Sequence, residues 1–537
     1  MEEISRHKKL FLITLAGLAL LCIWHLFYVA EAAQAAGHMF LVRNYCMLAL
    51  GGLALCALTG ILLLCTGYPF EKIWLIVMML MGVIAMRVLP GLSAPDEPVH
   101  YVTAYRISDM LMFTQPEDEE GHVMIRARDF AVEDLDQEIE DFKAGKVDGT
   151  LIFGQEMTER MYYEAENWPT LHPDVPGMTV SYQPRLETTP LVYIPQALGI
   201  TMARLLHLPS SLLITFGRVF NLLAFAIIIY AALKLMPFGK ELMAASTLLP
   251  MTVTLAASMS YDALLIAGTY YFIAVILDAA YRAETVSLSH ILRLTAVLAV
   301  IGPCKMVYGV ILLLVFLIPK EKFKNKKQRA LAFLLPAAAL IISMLAVNLT
   351  VISRYVAPEA AAADVVWQEG ETGWSIAYAI RHPLQTVRIV YDTVMYQSGY
   401  YHQTLVGAYL GNADENLDVP YLVVMAFSAI LLLLGLKKPE EGSCLKKRDR
   451  LISAGVIALL ILMLMGCMLI GWTPLSSIVI LGVQGRYLLP VLPLLLLLIS
   501  NNTVFMKKDI SKQLIYLTVC LDVFAFVRLF STVSLHL

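Results

Sequence analysis

Charged residues are scarce in this sequence. Asp, Glu, Lys and Arg make up only 15% of its 537 residues, whereas soluble domains carry about a quarter. Hydrophobic residues reach 58%, and the mean hydropathy is +0.69. The shortage of charge excludes an ordinary soluble globular protein. Apolar runs of about 20 residues, the length that crosses a bilayer, recur along the chain and predict an all-α polytopic membrane protein.

Patterns typical of several other protein classes are also missing. Eight cysteines are present, but all except Cys444 lie in apolar runs, and no disulfide framework or metal-binding spacing follows from them. No phosphate-binding glycine loop, dinucleotide fingerprint or internal repeat is visible. The sequence therefore gives no indication of a nucleotide-binding domain or a repeat architecture.

The distribution of Lys and Arg predicts the topology, because short cytoplasmic loops are enriched in these residues. Residues 320–329, 437–450 and 507–512 are basic, as is the N-terminus before Leu10, so all four are predicted to be cytoplasmic. We read the N-terminal apolar run as a retained first helix, since it shows no clear cleavage site. The apolar runs and this placement of the basic segments together predict about thirteen transmembrane helices. They lie near 9–30, 45–66, 72–90, 211–235, 242–259, 262–281, 289–303, 305–319, 330–352, 420–436, 451–472, 486–500 and 512–532.

Two long connections are predicted to lie outside the membrane. The first, 91–187, is strongly acidic, and the second, 353–419, is rich in aromatic residues. Residues 188–207 follow the first connection and are apolar. A further membrane span here would reverse the topology of all later segments and would place their basic loops outside the cell. Prolines and charged residues within this segment favour a helix lying on the outer surface.

The stretch "LSAPDEPVHYVTAYRIS" at 92–108 places Asp96 and Glu97 directly after a predicted membrane helix. Pro98 suits a first helical turn, so a helix is predicted over 99–111, with His100 within a turn of the carboxylates. One interpretation is simple capping of a surface helix. The other is a catalytic role for the carboxylates, as an anionic base.

Other polar residues that interrupt the apolar helices gather toward the same outer side. Arg218 and Asn221 fall in the outer half of the predicted 211–235 helix, and Asp262 falls at the outer turn of the 262–281 helix. Lys305 falls in the break "GPCKMVY", and Arg486 falls at the outer end of its predicted helix. Charges at membrane depth are costly and mark functional cavities, although each one singly could extend to the interface. Together they describe an anionic base facing several cations, which suits deprotonation of a hydroxyl and stabilisation of a departing phosphate.

Three motifs give the sequence a family resemblance. "APDEPVHYVTAYRIS" at 94–108, "YQPRLETTPLVYIPQAL" at 182–198 and "GRYLLPVLP" at 485–493 occur in this order. They resemble the bacterial membrane-protein family called domain of unknown function 2142 and, more widely, the C-type glycosyltransferase (GT-C) superfamily. The similarity spans about 72–505, which leaves two additional N-terminal helices in 1–71 and a C-terminal helix in 506–537.

The superfamily resemblance implies an inverting glycosyltransferase that uses a polyprenyl-phosphate-linked sugar. Asp96 matches the acidic catalytic residue of the first outer loop, with Glu97 beside it. His100 is expected to orient Asp96, to contact the phosphate or to have only a packing role. The implied donor-binding residues are Arg486, Lys305, Arg218, Tyr487 and Asp262. Trp374, Tyr400 and Tyr401 of the second outer loop are expected to cover the acceptor or to anchor at the lipid headgroups.

The resemblance also implies a set of partners and a location. The expected acceptor is an extracytoplasmic glycan, lipid or protein of the cell envelope, and the expected location is the plasma membrane. No metal site is predicted, because the Asp-x-Asp motif of the superfamily is not evident, although a requirement for Mg²⁺ or Mn²⁺ stays open. Two other classes also stay open, namely a secondary transporter or flippase for an envelope precursor and a non-catalytic membrane scaffold.

Overall fold

The chain is mainly helical, with the site residues gathered where several helices start or end. The structure is a computed structural model that describes residues 2–129, 157–171, 176–181, 183–356, 364–365, 368–411, 418–439, 441–442 and 444–535. Parts of both predicted outer connections therefore lie outside the described residues, namely 130–156, 172–175 and 182 in the first and 357–363, 366–367 and 412–417 in the second.

The helices follow the apolar runs of the sequence closely. Those of the first half are α1 (Glu2–Ala36), α2 (Phe40–Cys65), α3 (Phe70–Val88), α4 (Glu97–Leu111), α5 (Glu159–Leu171), α6 (Ile194–Leu205), α7 (Ser210–Leu235), α8 (Lys240–Thr247), α9 (Pro250–Ala256) and α10 (Asp262–Leu277). Those of the second half are α11 (Leu288–Ile301), α12 (Lys326–Val356), α13 (Ile376–Arg381), α14 (Pro383–Val406), α15 (Tyr421–Leu434), α16 (Lys447–Trp472), α17 (Leu492–Leu497) and α18 (Ser511–Leu535).

Seven of the described helices are long and apolar enough to cross a membrane, namely α1, α2, α7, α10 with its extension to Arg282, α12, α16 and α18. Four shorter apolar helices accompany them, at Leu288–Ile301, Met306–Leu317, Tyr421–Leu434 and Gly485–Leu497. The polytopic membrane class is confirmed. The count of thirteen spans and the GT-C fold remain predictions.

Several helices differ in detail from the sequence-based expectation. The predicted helix at 242–259 is divided into α8 and α9, because Pro250 cannot continue the hydrogen bonding of a helix. Two apolar stretches, Met306–Leu317 and Gly485–Val491, are 3₁₀ helices rather than α-helices. The second connection contains a long helix, α14, that the sequence analysis did not predict.

Small sheets interrupt the helical architecture outside the apolar segments. Strands β1 (Val123–Arg126) and β2 (Met178–Ser181) form an antiparallel pair within the first connection. A second antiparallel pair joins β3 (Asp364–Val365) and β4 (Gln368–Thr372). The described residues are therefore mainly helical, as predicted, with two small two-stranded sheets in addition.

The segment at 188–207 forms a 3₁₀ turn, Pro190–Tyr193, followed by α6. Twelve helical residues rise about 18 Å, whereas a hydrocarbon core is about 30 Å thick. The helix is therefore too short to cross a bilayer, as expected for a surface helix. It packs on α4 and α7, and its Gly199 leaves room for the backbone of Phe216 to approach closely.

The basic segments lie together at one end of the bundle. Arg448 donates from Nη2 to the carbonyl oxygen of Phe316 at 2.8 Å, and Lys322 donates from Nζ to that of Ala283 at 2.7 Å. Met506 likewise donates its backbone N–H to the carbonyl oxygen of Lys437 at 2.9 Å. Their shared position agrees with the prediction that these loops face the same compartment.

Candidate functional site

Asp96 immediately precedes α4, but its side chain does not cap that helix. Its backbone is left-handed, with φ of 56°, and its carboxylate makes no capping hydrogen bond. A left-handed conformation is uncommon for a residue with a side chain, although Asp tolerates it better than most. Because the carboxylate makes no capping hydrogen bond, the geometry does not support the capping interpretation for Asp96.

The carboxylate of Asp96 pairs instead with Arg486. Arg486 Nη2 donates to Asp96 Oδ2 at 2.9 Å. The side chain of Arg486 is only 8% exposed, whereas that of Asp96 is 54% exposed. Asp96 therefore lines a recess that water can enter, while the guanidinium forms part of its inner wall.

Close packing of two backbone segments fixes the position of Arg486. The Gly485 N–H at the start of the 3₁₀ helix donates to Thr404 Oγ1 of α14 at 2.8 Å. A Cβ atom on Gly485 would overlap the carbonyl oxygen of Tyr401 and lie 2.6 Å from the backbone nitrogen of Leu405. Glycine is therefore required for the 3₁₀ helix to approach α14 this closely.

A second ion pair joins Asp262 and Lys305. Lys305 Nζ donates to Asp262 Oδ1 at 2.7 Å, and Lys305 directly precedes the Met306–Leu317 3₁₀ helix. The ammonium lies 4.6 Å from the ring centroid of Tyr487 and 5.4 Å from that of Tyr261. These cation–π contacts stabilise Lys305 beside the Asp96–Arg486 pair.

Glu97 has a different environment from its neighbour Asp96. Arg218 donates to Glu97 from both Nε, at 2.7 Å, and Nη2, and its Nη1 and Nη2 also donate to the carbonyl oxygens of Leu89 and Pro90. Glu97 accepts further hydrogen bonds from the backbone N–H groups of Ala94 and Met259. The pair is buried, since the side chain of Arg218 is 3% exposed and that of Glu97 is 0% exposed. This geometry favours a structural role for both residues.

His100 lies behind the exposed carboxylate, on the first turns of α4. Its Nδ1 is 2.6 Å from the hydroxyl of Tyr193, and its ring meets that of Tyr261 edge-on with centroids 5.4 Å apart. Burial lowers the pKa of His100 to about 4, so the imidazole is neutral at neutral pH. It contributes a hydrogen bond rather than a charge to the site.

The charges of the site balance one another. The protein that surrounds Asp96 opposes ionisation of its carboxyl, but the positive charge and hydrogen bond of Arg486 outweigh this effect and hold its pKa below the ordinary value. Two carboxylates, of Asp96 and Asp262, thus face two cations, of Arg486 and Lys305. The cluster is neutral as a whole, with its most accessible charge on Asp96.

The predicted acceptor residues are not all close to this cluster. Trp374 packs in a separate apolar cluster with Ile389, Met465, Leu469 and Ile480. Tyr400 and Tyr401 lie on α14, with ring centroids 5.9 Å apart, and Tyr401 contacts the start of the Arg486 segment through its backbone. The two tyrosines therefore lie beside the segment that carries Arg486.

A cavity of about 240 Å³ lies farther along α4. Its lining includes Thr103, Arg106, Arg185, Tyr193 and Val347. Tyr193 thus contributes to the cavity wall and also contacts His100. Tyr193 belongs to the motif at 182–198, but no pattern in the sequence indicated a role for it.

One described group could hold a metal ion. Asp118, Glu120 and His122 each place a ligand atom within 4.8 Å of the others. They lie on the turn before β1, where Asp118 Oδ1 already accepts the backbone N–H groups of Glu120 and His122. This group is separate in sequence from the ion-pair cluster.

The fold and site define a polytopic membrane protein with a charged cluster at one end of its helices. The chain belongs to the family described as predicted membrane protein (DUF2142), whose model matches residues 78–495. No curated protein and no solved structure matches it. The resemblance to this family that the motifs predicted is confirmed, whereas the resemblance to the GT-C superfamily stays a prediction. The helices outside the match include α1, α2 and α18, and these three pack on one another.

Proposed function

We propose that this protein is an inverting membrane glycosyltransferase, which moves a sugar from a polyprenyl-phosphate-linked donor to a hydroxyl of an extracytoplasmic acceptor. The observation that carries the proposal is the pair formed by the accessible carboxylate of Asp96 and the buried guanidinium of Arg486. A base and an anion-binding group thus meet at one site, and in-line displacement requires this pair to open so that the anomeric carbon lies between the two groups.

The reaction divides the work between these groups. Asp96 accepts the proton of the acceptor hydroxyl as its oxygen attacks the anomeric carbon. The bond from that carbon to the phosphate oxygen breaks, the configuration inverts, and the lipid phosphate leaves with the bonding electrons. Arg486 and Lys305 stabilise the phosphate, for which the planar fork of Arg is well suited.

The remaining predicted residues take positioning roles in this proposal. Asp262 holds Lys305, and Tyr487 lies beneath its ammonium. His100 and Tyr193 support the first turns of α4, from which Asp96 projects. Glu97 and Arg218, which satisfy each other, fix the start of α4 rather than contact the donor. Tyr400 and Tyr401 flank the acceptor side, and Trp374 stabilises the second connection.

The location of the site is part of the same proposal. We place the protein in the plasma membrane with its N-terminus and basic loops in the cytoplasm. The Asp96 recess then opens on the extracytoplasmic side, where it would meet an envelope glycan, lipid or protein. A transporter would instead place its ionisable residues near the membrane midplane.

The test is transfer of labelled sugar from a panel of polyprenyl-phosphate sugars to envelope acceptors by purified protein in liposomes. Asp96→Asn keeps the side-chain size but cannot take a proton, so the rate should fall by about 10²-fold or more. Arg486→Lys keeps the charge but loses the two-pronged geometry, and should weaken donor binding as well as the rate.

The surface pair of Arg388 and Asp392 supplies matched controls. Arg388 Nε and Asp392 Oδ2 lie 3.5 Å apart on α14, and the side chain of Arg388 is 82% exposed. Asp392→Asn and Arg388→Lys should therefore leave the rate of sugar transfer unchanged. Full activity of well-folded Asp96→Asn protein would refute the catalytic assignment. Movement of an envelope precursor across the liposome membrane by that variant would favour the transporter, and normal function of both site variants would favour a scaffold.

A further inference from the structure

We propose that Asp96 and the donor phosphate compete for Arg486, so that a bound phosphate diester displaces the Asp96 carboxylate and leaves it free to meet the acceptor. This inference rests on the proposed function and concerns the regulation of the same site. The ion pair of Asp96 and Arg486 is then the resting state, in which the base is engaged until the donor arrives.

The first observation is an incompletely used guanidinium. Arg486 Nη2 donates to Asp96, but Nε is buried and has no hydrogen-bond acceptor among the described residues. A buried donor without a partner is costly. Two oxygens of a phosphate can accept from Nε and Nη2 together, whereas Asp96 uses only one of these nitrogens. A phosphate diester therefore satisfies Arg486 better than Asp96 does.

The second observation is that Asp96 can leave. Its side chain is 54% exposed, so the released carboxylate would remain hydrated in the recess. Glu97 shows the opposite arrangement, because it is fully buried and accepts hydrogen bonds from Arg218, Ala94 and Met259. Exchange is therefore specific to Asp96 and cannot extend to its neighbour.

The third observation is the charge balance around Asp96. The groups that face it are Arg486 from the 3₁₀ helix, Asp262 and Lys305 as a pair, and His100 on α4 itself. His100 is neutral at neutral pH, so the four charges cancel. An incoming diester adds one negative charge, which raises the pKa of the accessible carboxylate that has just lost its cation, so that above this pKa Asp96 is still ionised and is a stronger base.

Diester binding should therefore be linked to proton uptake. In the free protein Arg486 holds the pKa of Asp96 below its ordinary value, and loss of this partner to a diester must raise it. The pKa is thus higher in the bound state, so affinity increases as pH falls through the bound-state pKa. Above that pKa the affinity should be independent of pH.

The experiment measures binding of a farnesyl methyl phosphate diester in detergent micelles between pH 5 and 8. A diester carries a single fixed charge in this range, so the ligand contributes no titration of its own. The matching neutral triester reports apolar binding of the prenyl chain. Asp96→Asn removes the competing carboxylate, and Asp392→Asn on the surface of α14 serves as the matched control.

The wild-type protein should bind the diester more tightly as pH falls. Asp96→Asn should bind it about tenfold more tightly than the wild type at pH 7.5, a typical coupling between two sites, and should lose the pH dependence. Asp96→Gly provides a second variant, since glycine accepts the left-handed backbone without strain. Asp392→Asn should behave as the wild type.

Unchanged or weaker binding by both Asp96 variants would overturn the exchange, as would equal binding of the diester and the triester by the wild type. The exchange and the proposed function can fail separately. Tighter binding by Asp96→Asn without sugar transfer by the wild type would support the exchange and refute the enzyme. Sugar transfer by the wild type, together with diester binding that is no tighter in the Asp96 variants, would support the enzyme and refute the exchange.

Discussion

Asp96 and Arg486 are 390 residues apart in the chain, yet Oδ2 of one and Nη2 of the other lie 2.9 Å apart. Each comes from a short irregular segment, a left-handed residue before α4 in one case and the start of a 3₁₀ helix in the other. Irregular backbone at such positions is typical of functional sites. The pair joins the two ends of the family match at residues 78–495.

Gly485→Ala should disturb the site without altering any charge. The added Cβ would overlap the carbonyl oxygen of Tyr401, so the 3₁₀ helix must shift away from α14 and carry Arg486 with it. We expect a destabilisation of about 1–3 kcal/mol and a rate reduced by up to about 10²-fold, since small displacements of catalytic groups are costly. Thermal unfolding in detergent and the transfer assay measure the two effects.

Gly399→Ala is the matched control on α14, because a Cβ there meets no atom of the described residues within 4 Å. It should leave both the stability and the rate close to the wild type. Equal behaviour of the two alanine variants would contradict the positioning role of Gly485.

Breaking the Glu97–Arg218 pair should destabilise the protein strongly. Arg218→Met would leave a buried carboxylate without its cation, at a cost of about 3–5 kcal/mol. The double variant Glu97→Gln with Arg218→Met removes both charges and should be more stable than the single variant. The unfolding temperatures of the wild type, Arg218→Met and the double variant, measured in one detergent, test this order of stability. A double variant less stable than Arg218→Met would show that the carboxylate makes other essential contacts.

His100 should produce a pH dependence of stability in mild acid. Its pKa in the folded protein is about 4, below the value of about 6.5 expected in the unfolded chain. The unfolded state therefore binds a proton first, and stability should fall as pH decreases from about 6.5 toward 4. His100→Gln should reduce this slope while other titrating groups remain. A slope identical to the wild type would indicate that His100 is protonated in the folded state.

Cysteine labelling of intact cells should separate the two ends of the bundle. In a protein that keeps only the natural Cys444, an impermeant reagent should not react, since this loop is predicted to be cytoplasmic. Single cysteines at the exposed positions Glu187 and Leu206 should both react if α6 lies on the outer surface. Reaction at Glu187 alone would mean that this segment crosses the membrane, and reaction of Cys444 would reverse the topology.

Much of the fold follows from composition and spacing. Apolar runs such as 211–235 and 451–472 correspond closely to α7 and α16, because a bilayer accepts a backbone only when its hydrogen bonds are satisfied within the helix. The start of α4 followed from Pro98, whose fixed φ suits a first turn. The 3₁₀ geometry of Met306–Leu317 was not predictable, since it depends on packing against α12 and α16.

The sequence by itself determined that acidic and basic residues interrupt the apolar helices, and it predicted that they gather toward one side, because charge in an apolar run needs a special environment. It did not determine which charges meet. Asp96 and Glu97 are adjacent and chemically alike, yet one lines a recess beside Arg486 and the other is buried against Arg218. Only the tertiary structure decided this, because the left-handed backbone at Asp96 and the close approach of Gly485 to α14 together select the partner of each carboxylate.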